Sequence, residues 1–226
     1  MLKRYCIILA SGVGSRFGRG KPKQFFRLGG KMIIEHTLAA CDCGLFDQLI
    51  LVVAEKFVGK MTDLAHGYKT PIRVVAGGNS RKASCVAGVN CISDKEALVV
   101  IHNGVQPFVT KEGFQRCLEG LKTHQAVTSG VPCVYTVMRV NERREVEEVP
   151  DRATLCNDMG VEGFRMSLLR KLFVEYDDDI STDIIGMVFR SGLAKVLITE
   201  GDVRNIKITH RQDVVLANRI LKEKNK

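Results

Sequence analysis

The chain reads as an α/β protein with a mostly parallel β-sheet and helices on both faces, and three observations carry that expectation. Short apolar, β-branched runs alternate with amphipathic segments through residues 5–124. The runs are apolar along most of their length, as in strands covered on both faces. Glycine-rich or polar loops follow them, where such a sheet binds ligands at the carboxyl ends of its strands.

The first strand is Tyr5-Cys6-Ile7-Ile8-Leu9-Ala10, and it opens into Ser11-Gly12-Val13-Gly14-Ser15-Arg16. An amphipathic helix over 32–43 leads to a second apolar strand at 48–53, and a helix over 57–66 leads to a third at 72–76. That third strand ends in Gly77-Gly78-Asn79-Ser80-Arg81. A helix over 82–92 precedes a fourth strand at 98–102, which runs into His102-Asn103-Gly104-Val105-Gln106-Pro107 and a helix over 110–124. From Val131 the pattern changes. Val134 to Val140 and Glu145 to Val149 read as two strands around the charged Asn141-Glu142-Arg143-Arg144, a polar-tipped hairpin that either reaches a neighbouring subunit or is a solvated excursion. A helix over 167–176, an acidic turn Asp177-Asp178-Asp179, a helix over 184–191, a strand over 195–199 and an amphipathic helix from about Arg211 follow. Without repeats, low-complexity tracts or a Pro/Gly-rich linker, the expected organisation is one domain, 1–226, with an arm at about 134–150.

A chain of 226 residues that is 45% hydrophobic can bury a full core. The net charge of +9 suits an anionic ligand, but the basic residues are scattered and aromatics make up only 6%, so the expected partner is a small phosphorylated molecule rather than nucleic acid. Eight cysteines fall mostly in apolar patterns, where Cys acts as a small core residue, and this points to a reducing, cytoplasmic setting. Cys41-Asp42-Cys43 has no second pair to complete a zinc site and reads as structural. No secretory leader pattern stands at Met1 and no apolar run approaches the ~18 residues of a membrane span.

The glycine turn after the first strand carries the strongest chemical signal. Gly12 and Gly14 let the backbone turn and bring N–H groups towards phosphate oxygens, while Arg16 and Lys23 can neutralise charge that amides only polarise. The turn lacks both the third glycine of the dinucleotide fingerprint and the Gly-Lys-Ser/Thr ending of a P-loop, so by itself it is equally a tight turn with solvated basic residues. Asn205-Ile206-Lys207-Ile208-Thr209 reads as a strand that puts alternating polar groups on one face, and Lys207 is its cation. His102 is accounted for by packing at a strand end, and Arg81 by support of its loop or a surface ion pair.

Taken in order, Leu-Ala-Ser-Gly-x-Gly-x-Arg, Pro-Lys-Gln-Phe, Gly-Gly-x-x-Arg-x-x-Ser, His-x-x-x-x-Pro-Phe, Asp151-Arg152, Thr182-Asp183 and Asn-Ile-Lys-Ile-Thr resemble the cytidylyltransferases that load CMP onto methylerythritol 4-phosphate or ribitol 5-phosphate. The resemblance covers nearly the whole chain. It implies a Rossmann-like fold, a β-arm that mediates homodimerisation, CTP as substrate with Mg²⁺ or Mn²⁺, and a small polyol or sugar phosphate as acceptor. It also implies that Ala10, Ser11, Gly12, Val13, Gly14 and Ser15 wrap the triphosphate, that Gly77, Gly78 and Ser84 face the cytosine, and that Arg16, Lys23 and Lys207 stabilise the reacting phosphates. Thr136, Arg152 and Thr182 are implied in the acceptor pocket, with Arg152 reaching the partner's site; Asn103 and Gln106 stand at the family's metal and substrate positions.

The chain departs from the family pattern on the acceptor side. The loop that in relatives reads His-Asp-x-x-Arg-Pro-Phe carries Asn103 and Gln106, Tyr135 stands where relatives have Asp, and Gly160-Val161-Glu162 replaces Thr-Pro-Gln. Ile184 to Phe189 also lacks the acidic residues that follow Thr-Asp in relatives. Two expectations follow: an active transferase with a polyol or related sugar phosphate acceptor, or a catalytically degenerate paralogue that binds CTP or a phosphorylated metabolite as a sensor or assembly partner.

Overall fold

The first strand carries apolar side chains on both sides of its backbone, and burying both sides requires pairing along both edges and cover on both faces. The computed structural model describes residues 2–12, 14, 17, 22–176 and 183–224, and it meets that requirement. In chain order the elements are β1 (Arg4–Ala10), β2 (Arg27–Leu28), β3 (Lys31–Met32), α1 (Ile33–Cys41), β4 (Gln48–Val53), α2 (Val58–Ala65), β5 (Ile72–Ala76) and α3 (Arg81–Val89). There follow β6 (Leu98–Asn103), α4 (Lys111–Gly120), β7 (Ala126–Pro132), β8 (Arg139–Val140) and β9 (Val146–Glu148). Last come β10 (Cys156–Arg165), α5 (Met166–Glu175), α6 (Ile184–Ser191), β11 (Val196–Glu200) and α7 (Arg211–Lys224).

Seven strands form one sheet in the order β11-β7-β10-β6-β1-β4-β5. β1 lies between β4 and β6, parallel to both, with Ile7 opposite Ile50 on one side and Ile101 on the other. Successive side chains of β1 enter opposite cores, as the two-residue period of a strand dictates. Cys6, Ile8 and Ala10 pack with Leu38 of α1, Met61 of α2 and Phe114 of α4, whereas Tyr5 and Ile7 pack with Cys85 of α3, Leu169 of α5 and Met187 of α6. A third cluster, including Val105, Phe108, Ile208 and Ala217, fastens α7 and the segment before it to the loop after β6.

The alternating strands and helices through residue 124 fall close to where the sequence places them, two expectations are corrected, and two strands of the sheet, β7 and β10, lie where the sequence reading has none. The stretch from Val134 to Val149 is mostly unpaired: only β8 and β9 form a two-stranded ladder, joined by a turn in which Arg144 adopts φ 64°. Residues 205–209 are not a strand, because Ile208 turns inward to the third cluster and Asn205 is buried beside the sheet rather than paired within it. β10, which the sequence pattern conceals, runs antiparallel between β6 and β7, with a register shift between Asp158 and Glu162. The expected acidic turn 177–179 lies outside the described residues.

Phe114 is fully buried, with edge-on contacts to Phe46 at 5.1 Å and to His102 at 5.7 Å. Phe114→Ala leaves a ring-sized void under β6 and is expected to lower unfolding free energy by about 3–5 kcal/mol. Urea denaturation followed by circular dichroism measures this, and a loss below about 1 kcal/mol contradicts the packing described.

Candidate active site

The carboxyl ends of β1, β4, β5 and β6 open onto a cleft of ≈ 620 Å³ lined by Ala10, Ser11, Gly12, Lys23, Gly77, Gly78, Ser84, Asn103 and Lys207, with Arg81 on its wall. Nine of the expected site residues therefore meet in one cavity. Gly14 turns the loop with φ 71°, and its Cα side is packed by the Lys23 stem. Val13, Ser15, Arg16 and Thr182 lie outside the described residues.

Several contacts fix the floor of this cleft. The N-cap of α3 is Ser80, whose side chain accepts from Ala83 N at 3.0 Å, and this sets Ser84 in the first turn. Ser84 is 1% exposed; its Oγ pairs with Ser11 Oγ at 2.9 Å and donates to Gly78 O at 3.3 Å. Gly77 sits where a Cβ would come within 2.7 Å of Ser11 Cβ and 2.8 Å of Ser84 Oγ, so only glycine lets these two loops meet. The residue that holds the glycine turn is one without an assigned role in the sequence, Gln24. It is buried, and its Nε2 donates to Ala10 O at 2.7 Å and Gly12 O at 3.1 Å.

The rear wall is an ion pair that the local sequence hides. Arg81 donates from Nη1 to Asn103 Oδ1 at 2.7 Å and from Nη2 to Glu162 Oε1 at 2.9 Å. Glu162 is 2% exposed, and its Oε2 and Arg81 Nε are buried without a hydrogen-bond partner. Burial is the largest single influence on Arg81 and works against its charge, but Glu162, through its charge and its hydrogen bond, together with Cys85 and Asp183 holds the guanidinium above its ordinary value. For Glu162 burial dominates: it pushes the carboxyl up to about 7, with Arg81 opposing and Asp158 and Asp183 adding to the rise.

Asn103 and Gln106 are tied to this wall. Asn103 donates from Nδ2 to Gln106 Oε1 at 2.5 Å, and Gln106 is 3% exposed and does not line the cleft. His102 is fully buried, with Nδ1 facing Gly160 O at 2.8 Å and Nε2 facing Gln106 O at 2.9 Å; burial lowers its pKa, and its role is structural packing. Thr136 and Arg152 are exposed on the arm and do not line the cleft, and Arg152 donates to Val134 O at 3.0 Å.

A divalent cation finds no preformed seat on these residues. The place it would take at Asn103 Oδ1 is held by the Arg81 guanidinium, and no group of three His, Cys, Asp or Glu side chains suited to a metal gathers among the described residues.

The buried carboxyl makes a pH prediction. Native Glu162 keeps its proton up to about pH 7, whereas the unfolded chain releases it near the ordinary 4.5. The native state therefore binds the extra proton between those values, and stability falls as pH rises through that window, then levels off. Glu162→Gln lacks this component, so wild-type Tm minus variant Tm is expected to decrease from about pH 4.5 to about pH 7; thermal melts giving a difference flat with pH contradict it.

Comparison with known proteins agrees with the geometry. The family model for IspD, 2-C-methyl-D-erythritol 4-phosphate cytidylyltransferase, matches residues 5–223. A 2-C-methyl-D-erythritol 4-phosphate cytidylyltransferase of Alkaliphilus metalliredigens (strain QYMF) is 33% identical over 224 residues, covering 96% of this chain and 92% of the relative. The bifunctional ribulose 5-phosphate reductase/CDP-ribitol pyrophosphorylase Bcs1 of Haemophilus influenzae is 29% identical, covering 99% of this chain and 49% of that protein. Among solved structures, 4-diphosphocytidyl-2C-methyl-D-erythritol synthase from Anaerococcus prevotii DSM 20548 superposes with a TM-score of 0.87 at 26% identity, covering 98% of this chain and 99% of that one. A cleft at the strand ends, a glycine loop with its lysine, and a match over nearly the whole length establish that this chain belongs to the 2-C-methyl-D-erythritol 4-phosphate cytidylyltransferase family.

Proposed function

We propose that the chain binds CTP in the cleft at the strand ends and transfers its cytidylyl group to a polyol phosphate, 2-C-methyl-D-erythritol 4-phosphate or D-ribitol 5-phosphate, with release of pyrophosphate. The observation that carries this reading is the convergence of the 10–12 loop, Lys23 and Lys207 on one cavity, in a chain whose family match spans residues 5–223. A phosphate oxygen of the acceptor attacks the α-phosphorus of CTP; the new P–O bond forms as the bond to the β-phosphate oxygen breaks, and pyrophosphate leaves with that electron pair. A phosphomonoester has a second pKa near 6, so the nucleophile is ionised at neutral pH and no general base is needed. The task left to the protein is to gather anions and stabilise charge in the transition state.

In this reading Lys207 stands opposite the α-phosphate, the backbone of Ala10 to Ser15 wraps the triphosphate with Arg16 and Lys23 neutralising its charged oxygens, and Gly77, Gly78 and Ser84 face the base. Mg²⁺ or Mn²⁺ would be brought by CTP itself and would neutralise charge on its phosphates, since Asn103 Oδ1 is engaged by Arg81. Thr182 belongs to the acceptor pocket. The chain works as one nucleotidyltransferase domain over 1–226 in the cytoplasm. The eight cysteines, none of them in a disulfide, support that setting.

The arm completes the site in a second copy. Val134, Tyr135, Val137, Met138, Val140, Val146 and Val149 are exposed large apolar side chains on one projecting segment, and Tyr135 is 81% exposed. Packing this surface on a partner brings Thr136 and Arg152 to the partner's acceptor pocket. Light scattering is expected to give twice the 25.1 kDa chain mass, and a monomer mass at micromolar concentration overturns the dimer.

One observation favours a second reading, a CTP-binding paralogue without turnover: Asn103 and Gln106 are both locked into the wall network. Pyrophosphate release from CTP against methylerythritol 4-phosphate, ribitol 5-phosphate and other pentitol phosphates decides between the two. Turnover with one acceptor is expected, and Lys207→Ala is expected to lower kcat by about 10²–10³-fold with the CTP KM little changed. Silence from folded protein that binds CTP selects the second reading.

A further inference from the structure

The side chain of Gln106 is hydrogen-bonded to the segment that carries Lys207. Gln106 follows β6, is buried, and spends its amide inside the protein: Oε1 accepts from Asn103, and Nε2 donates to Met159 O and to Asn205 O, each at 3.0 Å. Both Nε2 hydrogens are used, so the amide has no donor left for a ligand. The carbonyl of Asn205 lies two residues before Lys207, and one residue beyond Lys207 the amide of Ile208 donates to Val105 O at 2.9 Å. Two attachments thus flank Lys207, and both run to the same loop, through Val105 on one side and Gln106 on the other. The segment 205–209 is outside the sheet, so ladder hydrogen bonds do not fix it in place.

Room for this side chain comes from β10. Its register shifts between Asp158 and Glu162, and within that bulge Gly160 adopts φ 74°, where L side chains are disfavoured. A Cβ at Gly160 would also overlap the Gln106 amide. Asn205 Nδ2 donates to the same Met159 carbonyl at 2.9 Å, so bulge, loop and lysine segment close into one buried network.

We propose that Gln106 is a positioning residue that sets Lys207 over the reacting phosphate by clamping the backbone of its segment, and that Gly160 is the vacancy into which this clamp fits. The proposal rests on the role given to Lys207 above. It reassigns position 106 from substrate contact to alignment of the catalytic cation, and a misplacement near 1 Å is enough to cost on the order of 10²-fold in rate.

The test compares wild type, Gln106→Leu, Gly160→Ala, Lys207→Ala and the Gln106→Leu/Lys207→Ala pair, each first checked for a native circular dichroism spectrum. Gln106→Leu keeps bulk and removes the hydrogen bonds; Gly160→Ala keeps the amide and fills its space. Either change is expected to lower kcat by roughly 10–100-fold with CTP KM within about threefold. In the Lys207→Ala background Gln106→Leu is expected to cost less than about threefold more, since the group it aligns is gone. Amide hydrogen exchange supplies a readout independent of turnover: Ile208 is expected to lose protection in Gln106→Leu while Ile7 and Ile50 keep theirs. An unchanged kcat, a loss that multiplies with that of Lys207→Ala, or unchanged exchange at Ile208 overturns the proposal. Wild-type silence with every acceptor overturns the cytidylyl-transfer reading and the catalytic half of the clamp together, and the exchange result then decides whether the clamp exists.

Discussion

The structure depends on β1 being paired along both edges and covered on both faces. A strand in that position cannot end in the sheet without leaving backbone groups to satisfy, and its last residues are where the chain meets that cost. Leu9 O is taken by Gly104 N at 2.8 Å, and Ala10 O by the Gln24 amide at 2.7 Å. The strand end is thus held by loops from β6 and from the Lys23 turn, and the chain leaves the sheet through Ser11 and Gly12 along the cavity.

Electrostatics shapes the rear of that cavity in the opposite sense from its mouth. Lys23 and Lys207 border the mouth, whereas Arg81 is turned into the wall and matched by Glu162. A buried pair of this kind contributes little net stability, because desolvation offsets most of its attraction. Its value here is geometric: the guanidinium fork joins α3, the end of β6 and β10 through Asn103 and Glu162, and a planar five-donor group does so where a lysine would not.

What the sequence reveals follows from how local each cause is. β1, β4 and β6 are legible because a strand buried on both faces must be apolar almost throughout, and Leu49 to Val53 or Leu98 to Ile101 allow little else. β10 is illegible for the converse reason. Gly163 is there so that Cys117 of α4 can approach, Glu162 so that Arg81 is matched, and Gly160 so that Gln106 has room; each reads locally as a loop residue. Glu162 and Arg81 are 81 positions apart, so no window exposes the pair. The cleft residues at 10–12, 23, 77–78, 84 and 207 are legible through motif and family resemblance, but the inward turn of Gln106 is decided by carbonyls of residues 159 and 205 that a sequence does not place.

β10 also has a mechanical consequence. Its first residues pair with the end of β7 at the root of the arm, with Cys156 opposite Pro132, and its middle residues supply Glu162 to Arg81 behind the cleft. One continuous strand therefore joins the root of the arm to the residues packed behind the cleft. The bulge at 158–162 is the stretch of that strand between the arm's root and Glu162, while the tip at 141–145 lies beyond the β8–β9 ladder, so its length can vary without altering the pairing of β10.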